Sequence, residues 1–273
     1  MSAMQTVERL TVPAIEVSWF DMTAAIGMIL IAVGISSWRG LGLARSFIVG
    51  AIRTVVQLTL VGYVLVYIFA VDRWYWVLLA LAVMLSVATR EAVHRQESRP
   101  PALYGIAGVA LLIGSGITLF YVSVVVVRVE PWYNARYLIP LFGMIIGNAM
   151  NAAALAAERL RSDMDTRRAE VEAYLALGAS SARASREPVR RALRASLIPT
   201  LNSLMVVGIV ALPGMMTGQI IAGSSPLLAI RYQIVVMFML ASVVSISATI
   251  VTLWYRRLFF TANHQLRFPQ GSK

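Results

Sequence analysis

Residues 227–255 read LLAIRYQIVVMFMLASVVSISATIVTLWY, an apolar run in which Arg231 is the one charged residue. About 20 apolar residues in a helix suffice to cross the hydrocarbon core of a bilayer, so this stretch predicts a membrane-spanning helix. The whole chain has the same character, since 59% of its 273 residues are hydrophobic and 14% are charged. Soluble domains are about half apolar and about a quarter charged. The composition therefore predicts a protein embedded in lipid rather than an ordinary soluble enzyme.

Further apolar runs predict an all-α polytopic membrane protein with seven transmembrane helices. The predicted spans are residues 17–37, 46–69, 74–89, 103–127, 138–157, 199–222 and 227–255. The third is short, and it depends on Arg90 reaching back to the membrane surface. Alternating β-type polarity is absent from the sequence, which disfavours an outer-membrane barrel. We treat residues 1–273 as a single transmembrane domain.

The distribution of basic residues predicts the orientation of the chain. Lys and Arg concentrate in the cytoplasmic connections of membrane proteins. The connections on one side of the predicted spans hold 18 of the 24 Lys and Arg residues, and those on the other side hold 4. This asymmetry places the N-terminus outside and the C-terminus in the cytoplasm. It also explains the net charge of +11 as a topology signal, so we expect no nucleic-acid partner.

The residue types that catalyse or energise reactions are scarce. The chain has no cysteine, its two histidines lie outside the predicted spans, and Asp21 is the one acidic residue within a span. Ion-coupled carriers usually place ionisable groups near the bilayer midplane, and Asp21 is close to the outer end of its helix. A Walker-type phosphate loop needs a lysine after its glycines, and the one lysine is Lys273. We therefore expect no catalytic residue and no cofactor in this chain, so that a partner must supply any energy.

The connection 158–198 contains nine arginines and six acidic residues in helix-forming sequence. It predicts a first helix that ends around residues 175–176, a stop at Gly178, and a second helix from about Ser185 that tolerates Pro188 in its first turn. Two parallel stripes follow this second helix, an apolar one of Val189, Leu193 and Leu197 and a basic one of Arg186, Arg190 and Arg194. We call this helix–Gly–helix segment the elbow. Its shape and charge suit the groove of an ATPase, and equally suit a membrane surface with anionic lipid headgroups.

Three groups of polar or small residues within the spans are candidates for a translocation path. In the second span, Arg53 lies ~10 Å deep at ~1.5 Å per residue, with Gln57 one turn further on the same face. A charge at that depth costs a few kcal/mol, so Arg53 is either a gate residue facing protein or water, or an arginine that reaches lipid phosphates together with Arg45.

The second group lies in the fifth span, where Asn148 and Asn151 share a face and Met144 precedes them by one turn. Gly143 and Gly147 let another helix approach closely. Carboxamide oxygens and a thioether are able to coordinate a metal ion transiently. The alternative is that the asparagines form hydrogen bonds across a helix interface, which at a dimer axis would itself line a path.

The third group is Pro213 and Gly214, which interrupt the sixth span because proline lacks a backbone donor. Broken spans often line binding sites, although a purely structural kink is as good a reading. Met215 follows the break, and with Met144 it is a candidate metal ligand. Iron favours harder oxygen and nitrogen donors, however, and methionines in membrane proteins mostly pack.

Residues 172–178, EAYLALG, are similar to the Glu-Ala-Ala-x-x-x-Gly coupling motif of ABC-transporter membrane subunits, with Tyr174 as a departure. The resemblance implies that this segment and the basic stripe after it contact an ATPase. The implied coupling residues are Glu172, Ala173, Leu177, Gly178, Arg186 and Arg190.

Longer stretches resemble the Fet-type bacterial iron-export permeases. They are RTVVQ at 53–57 with residues 61–69, Ile139-Pro140 with GMIIGNAM at 143–150, and ALPGMMTG at 211–218 with AIRYQI at 229–234. The resemblance covers most of the chain from about residue 53 to 265, and plant relatives of the family are associated with aluminium tolerance.

This resemblance implies the permease subunit of an ABC transporter in the bacterial inner membrane, exporting iron. It implies a homodimer served by two copies of a separate ATPase that binds ATP and magnesium. Two other functions stay open on the sequence, a membrane scaffold or sensor without transport activity and an ion-coupled secondary carrier.

Overall fold

The computed structural model describes residues 18–71 and 73–269, which form ten α-helices and no β-strand. The helices are α1 (Trp19–Trp38), α2 (Ala44–Val71), α3 (Trp74–His94), α4 (Pro101–Phe120), α5 (Ala135–Thr166), α6 (Arg168–Ala176), α7 (Ser181–Ala184), α8 (Arg186–Val206), α9 (Gly214–Ile221) and α10 (Pro226–Arg257). A π-helical segment, Tyr121–Val126, prolongs α4. The all-α prediction is confirmed.

Five helices of the described residues are long and apolar enough to cross a membrane, namely α2, α3, α4 with its π-helical extension, α5 and α10. The apolar part of α1 is shorter, and the predicted start of its span, Val17, lies outside the described residues. The predicted sixth span is not one helix, because residues 199–222 are divided between the end of α8, a turn and α9. The count of seven spans and the orientation therefore stay predictions.

Two helices extend beyond the limits of their predicted membrane spans, both into sequence that contains charged residues. Helix α3 continues past the end of its predicted span at residue 89 to His94, and α5 continues past the end of its span at residue 157 to Thr166. Charged residues mark where a helix leaves the apolar phase, but they are good helix formers and do not end it. The first elbow helix is interrupted at Arg167, which separates α5 from α6.

The described residues divide into two compact units. The smaller unit contains residues 18–71 and Ile220–Ser224. In it α1 and α2 form a helical hairpin, whose connection passes through Gly40 and Gly42 with φ of 64° and 70°. Asp21 closes a capping box with Ser18 at the start of α1. This acid therefore serves as a helix cap, in agreement with its expected place at the end of the span.

The larger unit contains Arg73–Gln219 and the residues from Ser225 onward. Helix α5 lies at its centre and packs against α3, α4, α8 and α10. Small buried residues on α5 let these neighbours approach closely; they are Ala149, Ala152, Ala153, Ala156 and Ala157. Whether the two units act as the single domain predicted from sequence stays a prediction.

Candidate functional site

A cavity of about 490 Å³ lies within the larger unit, between α5, α8, α10 and the turn that leads into α9. Most of its wall is apolar, and a few polar side chains face it. Its polar and sulfur-bearing lining residues are Met144, Asn148, Asn151, Ser196, Thr200, Ser203, Met215, Gln233 and Met237. This volume falls within the roughly 300–1,000 Å³ of typical small-molecule sites.

Helix α5 contributes Met144, Asn148 and Asn151 to one wall, so the predicted shared face exists. The amide nitrogen of Asn148 donates to the carbonyl oxygen of Met144 at 2.9 Å. The side-chain oxygen of Asn151 accepts from Nη1 of Arg95, on the segment after α3, at 2.7 Å. One asparagine is thus bonded to its own helix, and the other fixes a guanidinium group beside the cavity.

Gln233 on α10 is one of four polar lining residues that sequence reasoning missed, the others being Ser196, Thr200 and Ser203. It is only 6% exposed, and its Oε1 has no hydrogen-bond partner within the described part of the chain. Buried polar atoms are nearly always paired, so this oxygen is a candidate contact for a bound molecule. A signal was available, because a carboxamide inside the apolar run 227–255 is unusual in a membrane helix.

The opposite wall is formed by the second half of α8 and the chain after it. Pro199 lies inside α8, and its carbonyl oxygen accepts from Oγ of Ser203 at 3.0 Å. The helix ends at Val206, and a turn through Gly208, with φ of 83°, returns the chain so that the amide of Gly208 donates to Ala211 at 2.9 Å. The break in the sixth span is therefore longer than the predicted Pro213-Gly214 interruption.

The cavity brings together six of the eight residues predicted for the translocation path and for metal coordination. They are Met144, Asn148, Asn151, Pro213, Gly214 and Met215. Arg53 and Gln57 lie on α2 in the smaller unit. The roles of all eight stay predictions.

A second, open cavity of about 430 Å³ shares Leu155 and Pro199 with the first and continues between α5 and α8. Its charged lining residues are Glu158, Arg159, Arg191 and Arg194. Arg159 pairs with Asp163 at 3.4 Å, and Arg191 pairs with Glu187 at 3.1 Å. This open cavity is therefore lined by three guanidinium groups and one carboxylate.

The elbow has the predicted helix–Gly–helix form, with the short helix α7 between its two arms. Gly178 ends α6 with φ of 83°, and α8 begins at Arg186, one residue from the expected start. Leu177 is 85% exposed at the apex of the turn. Pro188 lies in the first turn of α8, as predicted. The elbow therefore presents an apolar tip between two helices.

Ion pairs within single helices stabilise both arms of the elbow. In α6, Nε of Arg168 lies 2.8 Å from Oε1 of Glu172. In α8, Glu187 accepts from Arg190 at 2.9 Å and from Arg191 at 3.1 Å. Hydrogen bonds from Arg190 and then Arg191 lower the pKa of Glu187 from 4.5 to about 2. Two of the predicted coupling residues, Glu172 and Arg190, thus have partners within their own helices.

The C-terminal segment after α10 packs against the elbow, a contact that could not be predicted from the sequence. Nδ1 of His264 lies 3.0 Å from Oγ of Ser181, the first residue of α7, and 83 residues away in sequence. The guanidinium of Arg168 lies over the ring of Phe268 at 5.6 Å. Oγ of Ser98 donates to the carbonyl of Pro269 at 3.3 Å. The segment therefore connects α6 and α7 with the end of α3.

Comparison with known proteins identifies relatives over nearly the whole length. Residues 19–260 match the model of an uncharacterised protein family, UPF0014. A UPF0014 membrane protein of Synechocystis is 42% identical, over 92% of this chain and 97% of its own. Protein ALUMINUM SENSITIVE 3 of Arabidopsis thaliana is 39% identical over 89% of this chain and 88% of its own.

A third relative is the probable iron export permease protein FetB of Escherichia coli, 36% identical over 93% of this chain and 96% of its own. No solved structure matches the chain. The relatives confirm the resemblance to the Fet-type permeases, and together with the apolar helices they indicate a multi-pass membrane protein. This chain belongs to the UPF0014 family of membrane proteins.

Proposed function

We propose that this chain is the membrane subunit of an ABC-type exporter in a bacterial inner membrane, with iron as the first candidate substrate. The observation that carries the proposal is the course of α8, which begins at the elbow with Arg186 and ends at the cavity with Val206. One helix therefore joins the surface suited to an ATPase with the cavity suited to a substrate. Movement of the elbow would reach the cavity wall directly.

In this mechanism a groove of the ATPase receives the exposed side chain of Leu177 and the turn at Gly178. Binding and hydrolysis of ATP, with magnesium, take place in the ATPase. The displacement of the elbow travels along α8, and Pro199 supplies a point at which the helix bends, since it removes one backbone hydrogen bond. Opening and closing of the turn after Val206 then changes access to the cavity.

A homodimer with two ATPase subunits is part of the proposal. The apolar side chains of a membrane protein must be covered by protein or lipid. Large apolar residues are exposed in and beside the turn between α8 and α9. They include Met205, Ile209, Val210 and Leu212. The second copy, the lipid bilayer or both would cover these side chains. The choice of iron rests on the name of the Escherichia coli relative.

The test is transport by the chain and a candidate ATPase, reconstituted together in liposomes and supplied with radioactive iron. We expect ATP-dependent accumulation of iron that is lost when Glu172→Arg and Gly178→Pro are combined. A matched control is Gly40→Pro with Glu97→Arg, because Gly40 is also a turn glycine in the left-handed region, with φ of 64°, and lies outside the elbow. Transport driven by a pH gradient without the ATPase would instead identify a secondary carrier, and a chain that neither transports nor binds an ATPase would be a scaffold or sensor.

A further inference from the structure

The donor atoms of the cavity are poorly suited to a bare metal ion. Its lining includes carboxamides, hydroxyls and thioethers but no carboxylate, imidazole or thiolate. Within the described residues no group of three or more His, Cys, Asp or Glu side chains is placed to hold a metal ion. Iron is typically bound by imidazole and carboxylate ligands. The one sulfur type present, the thioether, is a soft donor that suits iron badly.

The charges beside the cavity have the wrong sign for a cation. Arg95 is fixed against the wall by its 2.7 Å hydrogen bond to Asn151. The adjoining open cavity is lined by Arg159, Arg191, Arg194 and Glu158. Asp163 pairs with Arg159, and Glu187 pairs with Arg191. Clustered charge of one sign raises the local concentration of the opposite ion. Arg95 and Arg194, which have no carboxylate partner among the described residues, outnumber Glu158, so a net positive charge remains that favours anions over free metal cations.

The size of the cavity and its one unpaired buried oxygen point to an organic ligand. A metal ion is enclosed by ligands only about 2.0–2.6 Å away, whereas this cavity measures about 490 Å³. A mostly apolar wall with a few convergent polar groups is the usual pattern of small-molecule sites. Gln233 lines this cavity, and its Oε1 has no hydrogen-bond partner among the described residues.

We propose that the cavity binds metal as an anionic complex with an organic polycarboxylate, and not as a bare cation. The arginines that line the adjoining open cavity attract the complex. Gln233 accepts a hydrogen bond from a hydroxyl group or a metal-bound water of the complex. This inference rests on the proposed function, to which it adds the chemical form of the substrate. It also explains how a wall without acidic residues serves the export of a metal.

A charge-sign experiment tests the inference. The purified chain, in lipid nanodiscs, is titrated with radioactive iron as the ferric citrate complex in excess citrate or as aqueous Fe²⁺ under reducing conditions. Gln233→Glu places a negative charge in the cavity, so binding of ferric citrate should fall by about tenfold or more. A bare cation would instead bind more tightly to this variant. Gln265→Glu, the same change on the exposed C-terminal segment, should leave binding unaltered.

Asn148→Asp makes a second test, because its half-buried position tolerates a charge better than that of Gln233. Weaker ferric citrate binding in both variants supports the inference. Preference for Fe²⁺, strengthened by either variant, overturns it and leaves an ATP-driven metal exporter intact, and failure to bind either form also overturns it. Ferric citrate binding without any ATP-dependent transport would contradict the proposed function alone.

Discussion

Nη1 of Arg95 donates to Oδ1 of Asn151 across 2.7 Å and joins residues 56 positions apart in sequence. This contact gives the two predicted asparagines different roles. Asn151 holds a positive charge beside the cavity, and this bond occupies one of the two acceptor positions of its oxygen. Asn148 uses only its amide nitrogen within α5, in the bond to Met144.

A double-mutant cycle measures this contact. Arg95→Gln and Asn151→Leu should each lower the thermal stability of the chain in detergent. The combined variant should lose less stability than the sum of the two single losses. We expect a coupling energy of about 0.5–1.5 kcal/mol, since both side chains are exposed and solvent screens the charge. Arg99→Gln serves as the control, because Arg99 bonds backbone carbonyls of His94 and Gln96. Strict additivity of the first pair would show that the hydrogen bond contributes nothing.

Gly114 on α4 lies against Ser247 on α10, and a Cβ at Gly114 would overlap Oγ of Ser247. Ser247 is fully buried, and its Oγ lacks a hydrogen-bond partner within the described residues. Gly114→Ala should therefore destabilise the larger unit by about 1–3 kcal/mol, the usual cost of overpacking. Thermal unfolding followed by circular dichroism measures this loss.

Gly116→Ala is the matched control, because nothing lies within 4 Å of a Cβ at that position. Adding Ser247→Ala to Gly114→Ala removes the overlapping oxygen and should restore most of the stability. If Gly114→Ala were as stable as Gly116→Ala, Oγ of Ser247 would turn away at little cost, and the predicted overpacking would be wrong.

The sequence was informative wherever one segment determines its own structure. Apolar length predicted the long helices, and Gly178 and Pro188 predicted the stop and the start of the elbow helices. The spacing of Asn148 and Asn151 also predicted their common face, because helical periodicity is a local property. The confirmed family resemblance came from continuous motifs of the same kind.

Contacts between segments that are distant in the chain could not be predicted from the sequence. The Arg95–Asn151 hydrogen bond and the His264–Ser181 contact join residues 56 and 83 positions apart. No periodicity within one helix indicates which neighbouring helix it meets. Gln233 was missed for a different reason. Its isolation in an apolar run was visible, but its burial against the cavity depends on how α5, α8 and α10 pack.

Gly178→Ala should weaken the binding of the ATPase. The φ of 83° at Gly178 lies in the left-handed region, where a Cβ costs about 1–2 kcal/mol. Nothing lies within 4 Å of that Cβ, so the cost arises from the backbone alone. If the elbow must keep this turn to bind, affinity for the ATPase should fall by about 5- to 30-fold, as measured by surface plasmon resonance with the nanodisc-embedded chain.

Gly218→Ala, in α9, is the control for this prediction, because its Cβ also meets nothing within 4 Å. It should bind the ATPase as the unmodified chain does. Equal affinity of the Gly178→Ala chain would show that the turn is not part of the contact, and would favour the alternative in which the elbow lies on lipid headgroups.

The ion pairs of Glu187 should make the start of α8 sensitive to acid. Hydrogen bonds from Arg190 and Arg191 lower the pKa of Glu187 from 4.5 to about 2. A carboxylate with a lowered pKa contributes stability above its unfolded value, and that contribution disappears as the pH falls from about 4.5 through about 2. Glu187→Gln removes the contribution at every pH.

The thermal midpoints of the unmodified chain and Glu187→Gln should therefore differ above pH 5 and converge as the pH approaches 2. Because Glu187 is exposed to solvent, high salt should reduce the difference. Glu97→Gln controls for the loss of one negative charge elsewhere on the surface. A difference that persisted unchanged at pH 2 would show that Glu187 stabilises α8 through packing or helix propensity, not through its ion pairs. In that case the basic stripe of Arg186, Arg190 and Arg194 would be available in full to the ATPase, since Arg190 would not be held by Glu187.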